Sequence, residues 1–228
     1  MPLSSEIRFD DQVVIIIDGD SGMGKALAIL YGLRGANVVV NAGCNDLPQK
    51  MKAVDQVVDE ILSDGGSAVP SYDPMNSPEK IIETAMSNFG GIDVLVCDYG
   101  SSDRIAYASE NWEETCETGY YQVQRLVLSC WPYFKQQRYG RIVLATTGDG
   151  VVGPLIKPSY VASKMGIVGL SQDLAKQGRA DNILCNAYLT GPSMLLTRKD
   201  FSLLPGQWTR DVRSTCTFYF FPHCRTML

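Results

Sequence analysis

The stretch Val13-Val-Ile-Ile-Ile-Asp-Gly-Asp-Ser-Gly-Met-Gly24 is a run of five β-branched residues that breaks into glycines. Such a run reads as a strand buried on both faces. The glycines let the backbone approach a ligand closely, and a helix opening at Met23 offers free N–H groups and the positive end of its dipole. A glycine cluster alone is more often a tight turn, so its meaning depends on the elements around it. Further strand candidates lie at residues 37–40, 67–69, 93–97, 141–145 and 183–187. Between them lie helical stretches at 23–33 and 53–62, then one opening at Pro78 with Ser77 as its N-cap, then 112–136 and 160–177. Gly65-Gly66 and Gly178 serve as stop signals. This alternation predicts an α/β fold: a doubly wound, Rossmann-like parallel sheet in a single domain, with the glycine turn where a dinucleotide pyrophosphate binds.

The 228 residues are 45% hydrophobic and carry a net charge of −5. That balance supports one core and argues against a nucleic-acid footprint or an anionic membrane surface as partner, since both require clustered Lys and Arg. The first twelve residues lack a basic leader, and the apolar run at 13–17 is too short to span a membrane, so an intracellular protein is expected. Seven cysteines, odd in number and without a Cys-x-x-Cys pair, fit a reducing compartment. The single histidine, His223, lies near Cys216 and Cys224 without a recognisable ligand spacing, so no metal is expected and a histidine-dependent hydrolase is disfavoured.

Chemistry is carried by Pro158-Ser-Tyr-Val-Ala-Ser-Lys-Met-Gly166. The i,i+4 spacing places Tyr160 and Lys164 side by side on one helical face. A neighbouring cation favours phenolate over phenol, so the pair can exchange a proton with an alcohol or carbonyl oxygen. The plainer alternative is a half-buried aromatic beside a solvated lysine.

With the glycine turn, the Tyr-Lys pair and phrases such as Gly35-Ala-Asn-Val-Val-Val-Asn41, Trp131-Pro-Tyr-Phe-Lys-Gln-Gln-Arg-Tyr-Gly-Arg-Ile142 and Tyr160-Val-Ala-Ser-Lys-Met-Gly-Ile-Val-Gly-Leu-Ser171, the chain resembles the short-chain dehydrogenase/reductase family. Within it, the chain is similar to the hydroxyacyl-CoA dehydrogenase domains of peroxisomal multifunctional β-oxidation enzymes. The resemblance covers residues 8–206, leaving 207–228 as an unassigned tail. It implies an NAD- or NADP-dependent oxidoreductase that interconverts a secondary alcohol and a ketone, on a small-molecule substrate such as a 3-hydroxyacyl thioester. It further implies Tyr160 as proton donor, Lys164 as its activator and Thr147, thirteen residues before the tyrosine, as the substrate-orienting hydroxyl. Cofactor contacts implied are Gly19, Ser21, Gly22, Met23, Gly24, Asp73, Gly100, Tyr160, Lys164, Thr190 and Gly191; read by itself, Asp73 is equally a turn aspartate before Pro74.

Several positions depart from the family pattern. Asp18 replaces the threonine that opens the glycine turn, and the turn is one residue short. A carboxylate such as Asp18 or Asp20 at about 6 Å from a pyrophosphate charge costs roughly 3 kcal/mol at an effective dielectric of 20, about a hundredfold in affinity. Titration of wild type and Asp18→Thr with NADH and NADPH discriminates an enzyme from a scaffold, restored binding in the variant favouring the scaffold. Ala42 stands where the subgroup has a ribose-binding aspartate, which leaves NAD and NADP both open, and Cys97-Asp-Tyr-Gly100 replaces Asn-Asn-Ala-Gly, with Tyr99 crowding the nucleotide site. The proton-relay asparagine falls on Gly119 or Cys116, depending on the alignment.

The tail shows no periodicity, so the family's substrate-covering helix and last strand are expected to be missing, and the usual homodimer is put in question. The chain ends in Arg-Thr-Met-Leu rather than Ser-Lys-Leu, so the peroxisomal address implied by kinship is unwritten and a cytoplasmic location is the alternative. Two functions are compatible with these residues: the oxidoreductase, or a non-catalytic truncated relative acting as a binding or scaffold protein.

Overall fold

The computed structural model describes residues 7–20, 22–43, 48–99, 111–147 and 158–190, with the backbone alone at 147, 189 and 190. The strands are β1 (Val13–Ile17), β2 (Asn37–Asn41), β3 (Ser67–Ser71), β4 (Val94–Cys97), β5 (Gly140–Thr147) and β6 (Ile183–Thr190). They form one sheet in the order β3-β2-β1-β4-β5-β6, every neighbouring pair parallel. The order reverses between β1 and β4, and the crevice beyond the carboxyl ends of these two strands is where doubly wound sheets take their ligands. The fold is the one expected, with six strands among the described residues.

Period-two alternation sorts the sheet residues onto two faces. Val14, Ile16, Val38, Val40, Val94 and Val96 pack with helices α1 (Gly22–Leu33) and α2 (Pro48–Ser63). Ile15, Ile17, Leu95, Ile142 and Leu144 pack on the other face against α3 (Pro78–Phe89), α5 (Gln122–Gln137) and α6 (Pro158–Gly178). Every residue of β1 is buried, and each contributes about 2–3 kcal/mol relative to exposure.

Element boundaries differ from expectation for identifiable reasons. β3 runs through Pro70, which pairs in register with Val40; β3 ends the sheet, where a missing N–H is tolerated. Asp93 falls outside β4, and its carboxylate instead accepts the Val13 N–H at 2.8 Å. Pro78 does open α3, but Ser77 makes no side-chain cap. The single helix predicted over 112–136 is broken: α4 (Trp112–Cys116) leads into a π-helical turn, Glu117–Tyr121, before α5 begins. No described helix is long and apolar enough to cross a membrane.

Candidate active site

The glycine turn leaves β1 through Asp18, whose φ of +59° lies in the left-handed region. Asp tolerates this conformation better than most residues, whereas a β-branched side chain does not. A threonine at position 18 is therefore strained on this backbone. A few residues on, a Cβ at Gly24 would lie 2.2 Å from the Asp18 carbonyl oxygen, so the start of α1 can pack on the turn only as glycine.

The repulsion expected from Asp18 and Asp20 is answered by a residue the sequence reading missed. Lys50, in the first turn of α2, donates to Asp18 Oδ1 at 2.8 Å and to the Ala42 carbonyl at 3.3 Å, with Asp20 Oδ1 3.7 Å away. Asp20 is 7% exposed. Burial, then the charge of Asp18, raises its carboxyl above the usual range, while Lys50 pulls it back. The Ala42 side chain packs into the core, leaving only its carbonyl on the site.

Asn41 was likewise unassigned by sequence. Its amide donates to the Ser71 carbonyl and hydroxyl and to the Asp73 carbonyl at 2.9–3.2 Å, and its oxygen accepts the Gly43 N–H at 2.7 Å. It thereby fixes the loop that carries Asp73, whose described contact is through its backbone.

Across the crevice, Asp98 follows β4. One carboxylate oxygen accepts the Gly24 N–H at 3.0 Å and the other the Tyr188 hydroxyl at 2.5 Å. Burial raises this carboxyl to about 6; Tyr188, the Gly24 N–H and Lys164 oppose the rise, and Asp18 adds to it. The ring of Tyr99 lies against Gly43, two residues beyond β2. The Tyr99 carbonyl turns the other way and accepts Lys164 Nζ at 2.5 Å.

Tyr160 and Lys164 sit one turn apart on α6, 8% and 2% exposed, with Nζ 6.0 Å from the tyrosine ring centroid. Lys164 is no solvated surface charge. Burial lowers its ammonium to about 8, while Asp98, Cys97 and Asp18 resist the fall, so it stays mainly cationic at neutral pH. Its Nζ also lies 3.4 Å from the Ala145 carbonyl. Thr146, buried beside Thr147, donates to the Lys164 carbonyl at 2.7 Å and ties β5 to α6. Thr147 and Thr190 are register partners that end β5 and β6 side by side. Gly19, Gly22, Met23 and Gly24 all lie in the turn or at the start of α1. Ser21, Gly100 and Gly191 lie outside the described residues, as does the tail.

Of the two positions on which the relay asparagine falls, Cys116 ends α4 and Gly119 lies in the π-turn. Gly119 faces Ser163, between Tyr160 and Lys164 on α6, and a Cβ at 119 would come 2.5 Å from Ser163 Oγ. No side chain fits there without a shift. π-turns inside helices recur at functional sites.

A protein family described as short chain dehydrogenase matches residues 12–199. The chain is 36% identical over 190 residues to the peroxisomal hydratase-dehydrogenase-epimerase of Neurospora crassa, a match covering 81% of this chain and 21% of that protein. It is 37% identical over 195 residues to the peroxisomal multifunctional enzyme type 2 of Mus musculus, covering 81% and 26%. The chain thus spans about a fifth to a quarter of the length of these relatives. Among solved structures, a 7α-hydroxysteroid dehydrogenase complexed with NADH and 7-oxo glycochenodeoxycholic acid superposes with a TM-score of 0.75 at 24% identity, covering 94% of this chain and 83% of that one. That likeness is one of fold.

Proposed function

Because the chain belongs to the short-chain dehydrogenase family, a family of oxidoreductases, we propose that it interconverts a secondary alcohol and a ketone using NAD or NADP. The observation that carries this reading is the buried Lys164 ammonium 6.0 Å from the Tyr160 ring, at the carboxyl end of the sheet. The glycine-only start of α1 and the Lys50 counter-charge to Asp18 fit a dinucleotide pyrophosphate. When bound, the cofactor supplies or accepts the hydride.

The chain's own residues do the rest. Tyr160 donates its phenolic proton to the ketone oxygen in reduction and takes it back in oxidation. Lys164, held by the Tyr99 carbonyl, favours the phenolate and so eases both directions. Thr147, at the end of β5, offers the hydroxyl that orients the substrate oxygen, while Asp73 and Thr190 flank the cofactor. The kinship with peroxisomal multifunctional enzymes supports a 3-hydroxyacyl thioester as substrate and a peroxisomal setting.

The test is fluorescence titration with NADH and NADPH, followed by turnover of a 3-ketoacyl thioester by wild type and Tyr160→Phe. Retained cofactor binding with turnover lowered by a factor of about 10³ or more supports the reading. Turnover undiminished in the phenylalanine variant, or no saturation by either dinucleotide below millimolar, overturns it.

A further inference from the structure

The dipeptide Asp98-Tyr99 touches both halves of the site. Its carboxylate holds the Gly24 N–H, one of the first-turn donors of α1, and its next carbonyl holds Lys164 Nζ. Tyr188 on β6 completes the span from the other side. We propose, building on the oxidoreductase reading, that Asp98 is a positioning residue that locks the start of the cofactor-binding helix to the segment holding Lys164, and that its charge sets dinucleotide affinity.

A carboxylate on the α1 N-terminus competes electrostatically with any anion bound at that same helix end. Among the described residues, the charged and titratable groups facing it are Asp18 from the turn after β1, Lys164 from α6, Tyr188 from β6 and the neighbouring Cys97 thiol. Lys164 is the one cation of this set, and it is already held by two carbonyls, those of Tyr99 and Ala145. Ionisation of Asp98, centred near pH 6, therefore adds a negative charge that these neighbours compensate only in part. Dinucleotide affinity should fall as pH rises through 6. An asparagine at this position keeps an acceptor for the Gly24 N–H and removes the charge.

Two measurements decide the matter. NADH titrated at pH 5.5 and 7.5 should bind wild type about tenfold more weakly at the higher pH, whereas Asp98→Asn should bind with nearly equal affinity at both. A pH dependence that persists in Asp98→Asn but vanishes in Asp18→Asn overturns the assignment, because the turn carboxylates would then be its source. The second readout needs no cofactor: hydrogen exchange at the Gly24 amide should quicken about tenfold in Asp98→Ala and stay slow in Asp98→Asn. Unchanged exchange in the alanine variant refutes the positioning role. If wild type binds no dinucleotide at all, the oxidoreductase reading fails, and the exchange result alone decides for or against Asp98 as the lock.

Discussion

Thr146 Oγ1 donates to the carbonyl oxygen of Lys164 across the gap between β5 and α6, at 2.7 Å and out of solvent. This bond sets how the helix that carries Tyr160 and Lys164 sits against the strand that carries Thr147. Thr146→Val keeps the shape and removes the donor. It should cost about 1 kcal/mol in chemical denaturation and lower kcat roughly tenfold with KM little changed. An equal loss of kcat in a comparably destabilised core variant away from the site, Ile61→Val, would show that only general stability was touched.

Lys164 is costly to bury. Its folded value of about 8 lies below the unfolded value of 10.5, so its contribution to stability is complete above the unfolded value and is lost as pH falls through 8. Between pH 9.5 and 7 wild type should therefore lose about 2 kcal/mol that Lys164→Met does not lose, as read from urea midpoints at the two pH values. The same variant should have no measurable turnover.

Lys50 holds two carboxylates of the glycine turn. Without it, Asp20 is left buried beside Asp18 with no cation paired to it among the described residues, and Lys50→Met should destabilise the fold by about 1 kcal/mol at pH 7, the pair being partly exposed to solvent at the lysine. The Asp20 carboxyl is raised in the folded protein, so stability grows as pH falls, and the deficit of the variant should close toward pH 5. Thermal unfolding across pH 5–8 checks both the deficit and its closure. Asp18→Asn in the same background should recover most of the loss, whereas Asp18→Thr should not, because of the left-handed backbone at 18.

Gly119→Ala should cost about 1–3 kcal/mol, because its methyl meets Ser163 Oγ at 2.5 Å. Removing that oxygen with Ser163→Ala leaves the Ser163 Cβ at 3.1 Å and should return part of the loss. A double-mutant cycle with an interaction of at least ~1 kcal/mol checks the contact, and additive losses would disprove it.

The sheet was legible because its strands are dense in β-branched residues at regular intervals, and the closeness of Tyr160 and Lys164 because helical spacing alone makes them neighbours. What escaped was set by tertiary approach. Lys50 lies thirty-two positions from Asp18, and Asp98 ninety from Tyr188, so neither partnership leaves a local trace. The value φ +59° at Asp18 is equally silent, since nothing in Ile-Asp-Gly announces which residue turns left-handed. Pro70 illustrates the opposite failure, a true local signal that lost to its place at the sheet edge.

The extra residue in the Glu117–Tyr121 turn advances the helical phase of everything after it by roughly 100°. Val123, Leu126, Val127, Cys130 and Phe134 meet the sheet on that shifted phase, while Trp112 belongs to the earlier one. Counting along the chain therefore cannot carry a position from one side of the turn to the other. Cys116 stands just before the change of step and Gly119 inside it, so the two positions stand in different helical phases.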